Sequence, residues 1–83
     1  MDKERLYIFS IKVRKLIENQ NLSGAIDKIK EENLSEDELN FLFMCLHTNG
    51  YDSKTDSFML FESDNSAFLR LVNLVQSKVS TKE

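Results

Sequence analysis

Hydrophobic residues along the chain form four blocks with helical spacing and one short run without it. Between Lys3 and about Gln20, Leu6, Phe9, Val13, Leu16 and Ile17 repeat as one face of a helix requires. Arg5, Lys12, Arg14, Lys15 and Glu18 fall mostly on other faces, and Tyr7, Ile8 and Ile11 widen the apolar stripe beyond what one neighbour needs. Residues 6–13 are also rich in β-formers, so a strand competes there, but the spacing favours a helix. Asn21 to Ser23 breaks the pattern. Ser23 can cap a short second helix with Ala25, Ile26 and Ile29 inward and Asp27, Lys28, Lys30 and Glu31 outward, ending at Glu32 and Asn33.

The third block is marked at both ends. Leu34-Ser35-Glu36-Asp37-Glu38-Leu39 reads as a capping box with a hydrophobic staple. The Ser35 hydroxyl can accept from the Glu38 amide, and the Glu38 carboxylate can reach back to the Ser35 amide. Three acids in the first turn suit the helix dipole. Asn49-Gly50 offers a left-handed C-terminal cap, so the spacing predicts a helix over Glu36 to Thr48. Leu39, Leu42, Phe43 and Leu46 form its stripe, while Phe41, Met44 and Cys45 cover other faces. A helix apolar almost all round is either central in the fold or partly in an interface.

Tyr51 to Ser57 is polar and turn-like. Phe58-Met59-Leu60-Phe61 is too short for periodicity to assign, and both helix and strand stay open there. The last helix begins among the cap formers of residues 62–66 and runs to about Val79. Phe68, Leu71, Val72, Val75 and Val79 form its stripe, with Leu69 and Leu74 on its flanks; residues 80–83 are expected to fray. The expected fold is all-α: a single domain over residues 1–83, a small bundle of about four antiparallel helices joined by short loops, with an irregular or β-like segment near Phe58–Phe61.

Composition bounds the function more than it names it. A chain of 83 residues buries only about 60–65% of the surface its unfolded state exposes, so its stability margin is thin and binding a partner adds to it. Proline is absent and glycine occurs only twice, at Gly24 and Gly50, which disfavours a turn-rich β fold. A single cysteine, Cys45, allows no intrachain disulfide and fits a reducing compartment, most simply the cytoplasm. No apolar run approaches the roughly 18–20 residues needed to span a bilayer, and the N-terminus lacks a signal-peptide core, so neither membrane insertion nor export is expected. The net charge of −3 is uneven: residues 1–30 carry seven basic and four acidic groups, and residues 31–83 carry four and ten.

Little here supports catalysis. His47 is the only histidine, and Cys45 lies two residues before it, on a different side of a helix, so the two do not pair as nucleophile and base or as metal ligands. Asp52-Ser53-Lys54-Thr55-Asp56 resembles a calcium loop only faintly: a lysine stands where a ligand belongs, and the loop glycine and closing glutamate are missing. No enzymatic activity, cofactor or metal is expected. The basic residues Lys12, Arg14 and Lys15 read as a solvated face.

The acidic run is more informative. Glu31, Glu32, Glu36, Asp37 and Glu38 fall within eight residues without a basic neighbour among them. Helix-start electrostatics explain Glu36 to Glu38. They do not explain Glu31 and Glu32, whose charge opposes the dipole at the end of their helix. These five, with Phe41, Met44, Tyr51, Phe58 and Phe61, form the expected partner-binding set, since aromatics and methionine favour interface cores. Ser35-Glu36-Asp37-Glu38-Leu39, the later aromatic run and the final helix resemble the layout of small acidic helical immunity proteins that neutralise nuclease toxins. The paired tyrosines of those proteins are absent, and Phe58-Met59-Leu60-Phe61 stands in their place. The leading expectation is a non-enzymatic module, a small regulator, inhibitor or immunity-type protein, docking an acidic and apolar surface on a basic protein. Two alternatives stay open: a helix-turn-helix nucleic-acid binder acting as a dimer, which the acids at the start of the third helix argue against, and a self-associating homodimer seamed by the first and third helices.

Overall fold

A computed structural model describes residues 2–60 and 66–80. Among them the chain forms α1 (Lys3–Glu18), α2 (Leu22–Glu31), α3 (Glu36–His47), a two-stranded antiparallel hairpin of β1 (Tyr51–Asp52) and β2 (Ser57–Phe58), and α4 (Ser66–Ser80). Residues 6–13 are helix, so burial of one stripe overrides their β propensity. The stripes meet in one core built from Phe9, Val13 and Ile17 of α1, Ala25 and Ile29 of α2, Leu42, Phe43 and Leu46 of α3, and Val72 and Val75 of α4. Each helix touches at least two others, and α1 touches the remaining three.

Local chemistry sets most helix ends. Asp2 caps α1 by accepting from the Arg5 amide at 2.8 Å. At the other end Gln20 takes a left-handed conformation (φ 62°), the Gln20 amide donates to the Ile17 carbonyl, and the Asn21 amide donates to Leu16. This is the Schellman arrangement, with glutamine where glycine is usual, and it ends α1 at Glu18 rather than near Gln20. The same turn moves the start of α2. Asn21, not Ser23, is its N-cap, accepting from the Gly24 amide at 3.1 Å. Asn33, also left-handed (φ 50°), closes α2 and turns the chain towards α3.

The capping box of α3 is complete, with Glu38 N–H to Ser35 Oγ at 3.2 Å and Ser35 N–H to Glu38 Oε1 at 2.9 Å. The staple residues Leu34 and Leu39 both pack against the core. The end of α3 is built differently from the expected Asn49-Gly50 cap. Thr48 is extended (φ −122°, ψ −176°) and its hydroxyl donates back to the Met44 carbonyl at 2.7 Å. The carbonyls of Cys45 and Thr48 are taken by one guanidinium nitrogen of Arg14, at 2.7 Å each. Arg14 is therefore no part of a solvated basic face: it crosses from α1 to cap α3, with its guanidinium 4.9 Å from the Phe68 ring centre. Burial lowers its pKa, while Glu18 and other neighbours act the opposite way.

The polar stretch after α3 is a hairpin, not an open turn. Tyr51 pairs with Phe58 and Asp52 with Ser57, and backbone bonds from Asn49 to Met59 and from Met59 to Gly50 extend the pairing towards α3. Asp56, left-handed at φ 52°, lets the four-residue loop close. Gly50 (φ 123°) lies under α1: a Cβ there would meet the Tyr7 ring at 2.8 Å, so only glycine lets the hairpin lie against that helix. The unassignable run thus divides, with Phe58 in β2, Met59 and Leu60 beyond it, and Phe61 outside the described residues. Ser80, expected to fray, is still helical, and residues 81–83 of that expectation lie outside the described residues.

Candidate functional site

The α2–α3 junction concentrates negative charge. Glu31 and Glu32 close α2, and Glu36 and Asp37 open α3 after a turn of residues 33–35. All four are exposed, and none forms a salt bridge among the described residues. Glu38 differs: its carboxylate serves the capping box. Three and four residues apart, Asp37, Asn40, Phe41 and Met44 fall along the outward side of α3, away from buried Leu42, Phe43 and Leu46. Met44 is 45% exposed, the most open apolar side chain on that helix.

The hairpin supports this side. Phe41, Tyr51 and Phe58 form a three-ring cluster with centroids 5.0, 5.4 and 5.7 Å apart, tilted or edge to face. Phe41 and Phe58 are half-buried, whereas Tyr51 is buried. Tyr51 therefore props the surface from below rather than presenting a ring to a partner. Its hydroxyl donates to Asp56, which also pairs with Lys3 at 3.1 Å. That hydrogen bond pushes the Tyr51 phenol up to about 12 and holds Asp56 below the usual carboxylate range, with Lys3 helping. Lys3, from the first turn of α1, thus ties the hairpin to the bundle.

On the other flank of the acidic turn lies an open groove of about 380 Å³, bordered by Leu34, Leu39 and Val79 with Glu36 and Asn40 on its edge. The acidic turn therefore stands between this groove, whose lining mixes apolar and polar groups, and the Phe41–Met44 side of α3. Of the sequence-predicted set, the structure brings Asp37, Phe41, Met44, Tyr51 and Phe58 to one side of α3, puts Glu31, Glu32 and Glu36 at the adjoining junction, and uses Glu38 in a cap. Sequence reasoning missed Leu34, Leu39 and Val79 as a surface, because Leu39 and Val79 sit on core stripes and Leu34 reads as the staple of the α3 cap.

The other reactive groups are occupied structurally. Cys45 is fully buried, and burial pushes its thiol up to about 11 against the opposing pull of Ser10 and Arg14. His47 faces α4, with Nε2 3.1 Å from Gln76 Oε1. Among the described residues no three His, Cys, Asp or Glu side chains converge as a metal site would need, and no helix is long and apolar enough to cross a membrane. No protein-family model, curated protein or solved structure matches this chain.

Proposed function

We propose that the chain is a protein-binding module that presents the acidic α2–α3 junction and the outward side of α3 to a basic partner. The carrying observation is the set of four exposed carboxylates, Glu31, Glu32, Glu36 and Asp37, which form no salt bridge among the described residues and are bordered by exposed Met44 on one flank and the Leu34–Leu39–Val79 groove on the other. Acids of this kind steer a basic surface and set orientation, while the apolar flanks supply contact area. The chain order α2, turn, α3, hairpin would also suit a helix-turn-helix with a wing. The outward side of α3 offers Glu36, Asp37, Asn40 and Met44, without a cation to meet phosphates, so charge favours a protein partner.

Affinity capture from extract of the source cells tests the proposal, comparing the natural chain with the quadruple variant E31K/E32K/E36K/D37K. The variant leaves Ser35 and Glu38 in place, so helical circular dichroism should persist. Capture of a basic protein should fall by about tenfold or more, and natural-chain capture should weaken as salt rises. Equal capture by both chains refutes the acidic surface. A Met44→Asp variant reports on the apolar flank separately.

A further inference from the structure

The outward side of α1 carries a stripe that stays exposed among the described residues. Glu4, Ile8, Ile11 and Lys15 follow at steps of four, three and four residues, the spacing that aligns side chains along a helix and that coiled-coil seams use. They lie opposite Leu6, Phe9, Val13 and Ile17, which face the core. Ile8 is 53% exposed and Ile11 36%. Glu4 and Lys15 are exposed, and neither forms a salt bridge among the described residues. The stripe is thus anionic at one end, cationic at the other and apolar between.

Reversed end for end, this pattern is its own complement. The pairs 4 with 15 and 8 with 11 share one midpoint, between Phe9 and Ser10. We propose that two copies of the chain pair through α1 as an antiparallel, two-fold symmetric dimer. In it Ile8 of each copy packs against Ile11 of the other, and Glu4 of each meets Lys15 of the other. A two-fold axis repeats every contact, so one self-complementary stripe yields two ion pairs. Glu4 and Lys15 are about 16 Å apart along the axis at 1.5 Å per residue, so a shallow crossing near 20° keeps both pairs within reach. Beside Ile8, the groove bordered by Tyr7, Tyr51 and Met59 widens the apolar contact. The stripe is narrow, which makes the dimer weak and concentration-dependent. This face is separate from the acidic side of α3.

Sedimentation equilibrium from about 1 μM to about 1 mM tests the pairing. The natural chain should pass from monomer to dimer across that range. E4K makes the stripe cationic at both ends and K15E makes it anionic at both ends, so each alone should weaken dimerisation by about tenfold or more. An equimolar mixture of the two should regain it, because their stripes complement each other. Attraction of net charge cannot mimic this result: E4K changes −3 to −1 and K15E changes −3 to −5, so both chains remain negative. Ile8→Asp should leave a folded monomer by circular dichroism. A natural chain monomeric throughout overturns the proposal, as do single variants that dimerise unchanged. So does loss of the dimer on Met44→Asp with Ile8→Asp unaffected, which would place the seam on α3.

Discussion

The two ends of α3 are held by different kinds of interaction. At its start the capping bonds lie within four residues: Ser35 and Glu38 exchange hydrogen bonds, and Glu36 and Asp37 meet the dipole. At its end the carbonyls of Cys45 and Thr48 are taken by Arg14, which lies 31 and 34 residues earlier. The capping bonds at the start join neighbours in sequence, and those at the end join distant elements of the fold. The acidic turn sits at the locally capped end, so Glu31, Glu32, Glu36 and Asp37 can be varied around the cap, whereas the far end is tied to α1 and to Phe68 of α4.

Replacing Arg14 should expose this contrast most strongly. Arg14→Ala leaves two carbonyls without their charged donor and removes the packing on Phe68. A loss of about 2–3 kcal/mol is expected in urea unfolding followed by circular dichroism. Arg14→Lys should restore only part of it, since a point charge does not reproduce a planar guanidinium over a ring. Ser35→Ala should cost less, about 1 kcal/mol in the same assay, because one cap bond is lost and the turn remains solvated. A larger loss for Ser35→Ala than for Arg14→Ala would reverse the comparison.

The smallest effect concerns the hairpin and is read through pH. The Tyr51 phenol is raised to about 12 by its bond to Asp56. Its stabilising contribution is therefore complete below about pH 10 and fades as pH rises through 12. Asp56 is shifted down, so its contribution holds above the ordinary carboxylate range near 4 and fades as acid protonates it in the fold. Ultraviolet titration of the phenolate should show a tyrosine ionising near 12. In Asp56→Asn that step should move down towards 10, with the turn retained because asparagine accepts a left-handed backbone. An unmoved step would detach Tyr51 from Asp56.

What could be read in the sequence divides along the same line. The four helical stripes and the α3 capping box were legible because each depends on residues a few positions apart. The α2 cap was misplaced from Asn21 to Ser23 because the Schellman turn at Gln20, which sets where α2 can begin, uses a residue type that does not announce it. Arg14 looked solvated because nothing near it in sequence shows the carbonyls it meets. The hairpin hid in a polar stretch whose pairing depends on Gly50 lying under Tyr7. Of the candidate surface, the exposed carboxylates and Met44 were visible by type and spacing. The burial of Tyr51 and the groove at Leu34, Leu39 and Val79 emerge only once α4 and the hairpin are placed.

Arg14 also bears on the order of events during synthesis. The cation that closes α3 leaves the ribosome before the helix it completes, so the last turn of α3 is completed only as α1 docks against it. In isolation, a peptide spanning residues 34–50 should therefore be ordered at its capped start and open at its end. The natural chain instead gains that final turn together with the α1–α3 interface, in one cooperative step.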